Sequence, residues 1–257
     1  MASSSAMTRE EQQFEKRLLD LAETAYQRGI VTYTDFLNLN EQHIFHSIRP
    51  KLSYLKTESF GGYEAAERQM AAFIPDAPVF CPEYPIACVR IEPIQKKFAE
   101  GLSHRDYLGA LLNLGLERSR TGDILPEEEQ AFLFCHEKLA DFICENLTRI
   151  RHTSVTACRV ERENFSYEPR VKELTGTMAS VRLDSLLSLA FGASRSSLTG
   201  QIEGGKVFVN GRLVTSNGSQ PKEGDLISVR GMGRFRLQSI GGQSKKGRSY
   251  VTILKYV

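Results

Sequence analysis

The chain has no apolar run near the roughly 20 residues that a membrane-spanning helix requires, which excludes a helical membrane protein. Its opening Met1-Ala-Ser-Ser-Ser-Ala-Met7 has no apolar h-region and does not read as a secretory signal. It reads as a native tail or an artificial extension, with Met7 a candidate natural start. Cysteine patterning is equally thin. The five cysteines, Cys81, Cys88, Cys135, Cys144 and Cys158, are odd in number and form no C-x-x-C pair. Most sit in apolar stretches, which suits buried reduced thiols and a cytoplasmic location. Clustered metal ligands are missing too. Cys135-His136 are adjacent, and His43 and His46 stand one helical turn apart, but neither pair has further ligands at metal-binding spacing. No Ser/His/Asp or Cys/His set stands out. The expectation is no metal, no cofactor, no small-molecule substrate and no catalytic residue.

What is present is an ordinary composition with an unusual distribution. The 257 residues are enough for two or three small domains, and 41% hydrophobic with 25% charged residues is typical of a globular protein. The formal charge is only +2, yet residues 180–257 hold twelve Lys/Arg against four Asp/Glu. That local +8 leaves about −6 on the first 179 residues. A chain segregated this way presents its basic part to a polyanion.

Residues 1–78 read as mostly helical. Thr8-Arg-Glu-Glu11 is a capping box, with Phe14, Leu18, Leu21, Ala22 and Ala25 on one face and Gly29 as the stop. Thr34 and Asn40 are candidate caps for two shorter helices, the second ending before Pro50. Residues 53–60 suit a strand. Gly61-Gly62 then suits a tight turn, and a helix is expected from Tyr63 to about Phe73.

Residues 79–162 carry a β-α-β-β-α-β rhythm. Strands are expected over 86–91, 122–125, 131–135 and 153–160, with helices over 106–116 and 136–147. That order is the ferredoxin-like one, which includes the RNA-recognition type. Such domains stack bases on aromatics of the central strands. Here only Phe132 and Phe134 share a face, and core packing explains them equally well. Arg105, Arg118 and Arg120 form a candidate second RNA patch, weighed against ion pairing with nearby acids.

Residues 163–179 read as a polar linker with room for a strand. In residues 180–257, short helices are expected over 181–191 and from the Ser194 cap to about Glu203. Val207-Phe-Val-Asn-Gly-Arg-Leu-Val214 is a hairpin around Asn210-Gly211. Further strands are expected over 225–229, 235–240 and 250–254, with a basic tip at 241–248. Arg195 begins the second helix, whose positive dipole end favours phosphate. Arg182 begins the first helix, Lys206 follows the second, and Arg212 follows the hairpin turn. Arginine forks fit phosphate oxygens and stack on bases. A surface of this kind recognises the shape and backbone of folded RNA.

Residues 182 to about 236 resemble the S-four RNA-binding domain, named for small-subunit ribosomal protein four. The matching positions are Arg182-Leu-Asp184, Leu187, Ser194-Arg195, Ile202, Gly205, Val207, Val209-Asn-Gly211, Val214, Gly224-Asp225 and Ile227. The tract Arg230-Gly-Met-Gly-Arg-Phe-Arg236 and the ending Gly-Gly-x-x-Lys-Lys-Gly-Arg248 resemble the bacterial YlmH family in particular. Phe60-Gly-Gly-Tyr-Glu-Ala-Ala-Glu-Arg68 and His104-Arg-Asp-Tyr-Leu-Gly-Ala-Leu-Leu-Asn-Leu-Gly115 agree with that family, as do Arg118 and Gly122-Asp123-Ile124. Ser197 departs from the pattern, since a basic residue is expected there on the second helix. The resemblance implies an α+β protein with helical N-terminal region, ferredoxin-like middle domain and S-four module. It further implies binding to structured ribosomal or transfer RNA, on the large ribosomal subunit, in stalled-ribosome rescue and quality control. The RNA-contacting set is then Arg182, Ser194, Arg195, Lys206, Asn210, Arg212, Arg230, Arg234, Arg236, Lys245, Lys246 and Arg248.

The competing class is an RNA-modifying enzyme, because pseudouridine synthases and tyrosyl-tRNA synthetases resemble this chain in the same module. Arg182-Leu-Asp184 belongs to the small module, however, and the domain of about 80 residues upstream is too small for a synthase fold. No His-x-Gly-His motif is present. His104-Arg-Asp106 is similar to a kinase catalytic loop, but Leu111 stands where the metal-binding Asn belongs.

Overall fold

The computed structural model describes residues 8–75, 83–95, 97, 100–161, 165, 167 and 169–256. The readings made for residues 1–7 and for Cys81 lie outside these. The chain divides into two compact units, residues 1–166 and 167–257.

The first unit opens with α1, Arg9–Arg28. Its capping box forms as the sequence pattern requires: Glu11 N–H donates to Thr8 Oγ1 at 3.2 Å and Thr8 N–H donates to Glu11 Oε2 at 2.8 Å. Gly29, at φ 64°, ends the helix in the left-handed region where glycine bears no Cβ penalty. Leu18, Ala22 and Ala25 lie fully buried along one stripe. The second helix, α2 (Leu39–Ile48), is capped by Asn38 and not by the expected Asn40. Thr34 caps no helix. Its hydroxyl donates to the Asp35 carbonyl at 2.7 Å and accepts Ala71 N–H at 2.9 Å.

Three short strands complete this part: β1 Thr32–Tyr33, β2 Lys56–Phe60 and β3 Met70–Ile74, in the order β1-β3-β2. The helix expected from Tyr63 to Phe73 does not form. The chain instead turns after Gly61-Gly62 and enters β3, every residue of which is buried. A short continuous apolar run such as Met70-Ala-Ala-Phe-Ile74 fits a helix or a central strand equally well on pattern alone. Pairing on both edges decided for the strand. Gly62 has φ 102°, and a Cβ there would lie 2.3 Å from the Phe134 ring, so the turn requires glycine.

The middle domain comprises β4 Ile86–Pro93, α3 His104–Asn113, β5 Thr121–Pro126, β6 Ala131–His136, α4 Ala140–Asn146, β7 Arg149–Ile150 and β8 Thr153–Val160. The sheet order is β5-β6-β4-β8-β7, with every neighbouring pair antiparallel. Without the small β7 this is the ferredoxin-like arrangement. Val89, Ile91, Leu133, Cys135 and Ala157 face the helices and meet Tyr107, Leu111, Ala140 and Ile143. Burying Leu111 alone contributes about 2 kcal/mol. Burial pushes the Cys88 and Cys135 thiols up to about 12, so they are inert. Among the described residues no group of three or more metal-ligating side chains stands together.

A polar node joins the N-terminal part to this domain. The buried Asp123 carboxylate accepts Tyr63 O–H at 2.7 Å, Glu67 N–H at 2.7 Å and Arg68 N–H at 3.0 Å. Arg68 reaches the carbonyls of Thr121 at 3.0 Å, Phe36 at 2.7 Å and Arg118 at 3.2 Å. Hydrogen bonds to a charged acceptor are each stronger than neutral ones.

The second unit begins with β9, Val171–Met178, then α5 Leu183–Phe191, α6 Arg195–Glu203, β10 Val207–Val209, β11 Arg212–Leu213, β12 Leu226–Val229, β13 Gly233–Gln243 and β14 Ser249–Tyr256. Its sheet runs β11-β10-β12-β13-β14-β9. The second half of the stretch read as a linker is therefore a strand, paired residue for residue with β14 from Val171↔Tyr256 to Met178↔Ser249. Its mostly polar, exposed side chains hid it, because the packed positions Leu174, Gly176 and Met178 include a glycine that breaks the apolar alternation. Leu183, Leu186, Leu187, Leu198 and Ile202 pack onto Val207, Ile227, Val229, Phe235 and Leu237.

The node makes a direct prediction. Asp123→Asn keeps one acceptor oxygen but sets an amide NH₂ against at least one of the three donors, and should cost the first unit about 2–3 kcal/mol in urea unfolding. A loss below about 0.5 kcal/mol, the range of an inert surface change, would show the node to be dispensable.

Candidate nucleic-acid interface

The basic residues of the second unit are set by two helix starts and a sheet. Arg182 is the N-cap residue of α5, and its Nε lies 3.3 Å from Asp184 Oδ1. Asp184 also accepts Ser185 N–H at 2.8 Å, so the Arg-Leu-Asp sequence pins the first turn of α5. Ser194 caps α6 through its Oγ, which accepts Ser197 N–H at 3.3 Å. Arg195 is exposed at the positive end of that helix, where the dipole adds to its own charge. No acid stands in the first turn of α6 to offset it.

Register divides the remaining cations between the two faces of the sheet. Arg212 pairs with Val209, on the face that carries α5 and α6. Arg234 and Arg236 flank Phe235 and Leu237, which point into the helix-covered core, so they occupy the other face. Arg234 lies 4.9 Å over the Tyr256 ring there, and Arg230 lies 5.9 Å over Phe208. Lys206 is exposed and stands across from Arg230, its carbonyl accepting Arg230 N–H at 2.9 Å. Lys245 and Lys246 are exposed in the β13–β14 turn, while Arg248 Nη2 turns back to the Thr177 carbonyl. The predicted set therefore forms two basic surfaces, not one.

Asn210 has a different role from the predicted RNA contact. It sits at φ 49° and Gly211 at φ 73°, the paired positive values of a type I′ hairpin turn. Asn210 Nδ2 donates to Asp225 Oδ1 at 2.8 Å, and its Oδ1 accepts Leu226 N–H at 2.9 Å. Both ends of the amide are engaged in latching the hairpin to the start of β12.

In the proposed patch of Arg105, Arg118 and Arg120, two side chains are engaged by the protein itself. Arg118 turns inward: Nη1 donates to Thr121 O at 2.7 Å, Thr121 Oγ1 at 2.7 Å and Gly122 O at 2.8 Å. Burial, then the neighbouring Arg68, push its guanidinium down to about 10. Arg120 pairs with Asp35 at 3.1 Å. Arg105 and Arg120 are both exposed, and Arg105 lies near Arg149 and Arg151, which sequence reasoning missed. The one signal for those two was a pair of arginines in alternation just ahead of β8.

The aromatic pair of the middle domain is also accounted for. Phe132 and Phe134 share a face but are only 8% and 2% exposed. Tyr63 stacks on Phe134 with ring centroids 5.2 Å apart, and Phe165 lies edge-on to Phe132 at 5.3 Å and to Phe134 at 5.1 Å. The chain's own rings occupy the place where bases stack in RNA-recognition domains.

Comparison with known proteins agrees with this layout. Residues 82–164 match the family model described as a putative RNA-binding domain in YlmH. Residues 181–227 match the S4 domain, and residues 10–76 match the N-terminal model of YlmH. The chain is 28% identical over 248 residues to the ribosome-associated protein quality control protein P2 of Bacillus subtilis (strain 168), covering 95% of each. The solved structure of cell division protein ylmH from Streptococcus pneumoniae is 24% identical, with a TM-score of 0.49. It covers 62% of this chain and 96% of that one. Among the described residues no helix is long and apolar enough to cross a membrane.

The hairpin latch can be tested by substitution. Asn210→Ala loses two hydrogen bonds and strains the turn, and should cost the second unit about 2–3 kcal/mol in urea unfolding. Asn210→Gly keeps the backbone conformation and should recover about 1 kcal/mol of that. Equal losses in both variants would assign the whole cost to the side-chain bonds.

Proposed function

Because the chain belongs to the YlmH family of bacterial S-four-domain proteins, we propose that it is a non-catalytic RNA-binding protein of the ribosome. Its ligand is structured ribosomal or transfer RNA on the large subunit, and its role lies in quality control of stalled translation. The observation that carries this reading is the start of α6. There Arg195 adds a guanidinium to a helix dipole, within a unit of net charge +8. Counter-ion release from phosphates then supplies most of the affinity, and shape supplies the selectivity. The matched RNA-binding models and the quality-control relative support the ribosomal setting. Absence of catalysis fits Asp184, which is held by Arg182 and Ser185 as the anchor of a helix turn and is not aimed at a base.

Sedimentation of cell lysate through sucrose gradients tests the partner. The protein should travel with large subunits at low salt and leave them as salt rises. Its staying wholly at the top at low salt would overturn the ribosomal reading. For the module itself, Arg195→Ala with Lys206→Ala should weaken RNA binding about tenfold and reduce the log–log salt slope by about 1.8. An unchanged slope would mean that neither position meets phosphate. Pseudouridine content of total RNA should be the same with and without the protein.

A further inference from the structure

The middle domain has the topology of an RNA reader, yet its aromatic face is closed by Tyr63 and Phe165. Its helical side holds a different feature. A groove of about 550 Å³ runs between α3, the end of α4 and the β7–β8 turn. Arg105, Gly109 and Asn113 line it from α3, Asn146 from α4, and Arg149 and Arg151 from β7 and its turn.

The charges of this groove are unevenly compensated. Arg151 lies 3.4 Å from Asp106 Oδ1 and 3.9 Å from Glu100 Oε2. Asp106 is further held by Ser103, whose hydroxyl and N–H donate at 2.7 and 2.9 Å. Arg105 and Arg149 are exposed and form no ion pair among the described residues. Helix-end compensation does not explain Arg105, which sits in the first turn of α3, at the positive pole. The turn is strained as well. Ile150 pairs with Thr153, leaving Arg151 and His152 as a two-residue loop, and Arg151 has φ 53° where Asn or Gly is favoured.

The lining also tells which part of a ligand would be read. Among the described residues no aromatic side chain lines the groove to stack a base. Its floor is backbone at Gly109, where a Cβ would meet nothing within 4 Å. Asn146 Nδ2 donates to the Phe142 carbonyl, leaving its Oδ1 to accept from a hydroxyl. Arginine forks for phosphate and amide oxygens for a 2′-hydroxyl are the chemistry of an RNA backbone.

We propose that this groove is a second RNA site, in which Arg105 and Arg149 hold phosphodiesters of a strand running between α3 and the β7–β8 turn. It rests on the reading that the chain binds RNA, and it adds a contact separate from the C-terminal module. Of the expected patch only Arg105 lines it, since Arg118 and Arg120 take no part.

The test uses the full chain and fluorescence anisotropy with an RNA hairpin of about 20 base pairs, enough for a shape-reading domain. Arg105→Gln with Arg149→Gln should weaken binding about tenfold and lower the salt slope by about 1.8. Arg9→Gln with Arg28→Gln, the same charge loss on α1, is the control and should change affinity less than about twofold, a screened long-range effect. Gly109→Met fills the groove without altering charge or straining the helix, and should weaken binding at an unchanged melting temperature. A nucleoside triphosphate should fail to compete with the hairpin. Equal effects of the two arginine pairs, or full competition by the mononucleotide, would overturn the proposal. Normal binding by both groove variants, alongside weakened binding by Arg195→Ala with Lys206→Ala, would sink the groove and leave the module standing. Failure of the unaltered chain to bind the hairpin would instead overturn the reading beneath it.

Discussion

One buried carboxylate organises the first unit. Asp123 takes three hydrogen bonds from the segment 63–68, which the sequence pattern would otherwise leave as an unsupported turn. A charge this buried must be fully satisfied to be tolerated, so its partners cannot move independently of it. Arg68 is drawn into the same place and is held by three carbonyls, one from Phe36 and two from the stretch 118–121. The turn that results aims Tyr63 onto Phe134. Closure of the aromatic face is thus a consequence of where one aspartate sits in β5.

That closure changes what the ferredoxin-like topology means here. A fold can be shared while the surface used for recognition is not. With the aromatic face filled by protein, nucleic acid must be met through charge and shape on other surfaces. The second unit offers such surfaces on both faces of its sheet, with Arg195 and Arg212 on the helix side and Arg234 and Arg236 on the other. The cations over Phe208 and Tyr256 rest on aromatic rings that help to hold them in place.

How far the sequence could be read follows from which signals are local. The capping box at Thr8, the Ser194 cap, the Asn210-Gly211 hairpin and the β-α-β-β-α-β order are written in short patterns, and the fold contains all of them. The role of Asn210 was not legible, because an amide bonding to Asp225 looks identical in sequence to one waiting for RNA. Arg118 was misplaced for a related reason. Its position beside Arg120 suggests a surface, whereas its carbonyl partners are decided by the return of β5. β3 was lost to a continuous apolar run that has no period, and β9 to a polar one. Arg149 and Arg151 lie close to Arg105 only because α3 packs beside β7, which no spacing rule reports.

The pairing of β9 with β14 sets the true beginning of the basic unit. Its recognisable motif starts at Arg182, but a fragment cut there would leave one edge of β14 unpaired along its whole length. Eight residues of open backbone, alternating with Val251 and Ile253, are a template for a second chain. The same polar strand that looks dispensable in sequence is therefore the guard against self-association. Its lysine and glutamate side chains suit that position, since charged edges resist stacking onto copies of themselves.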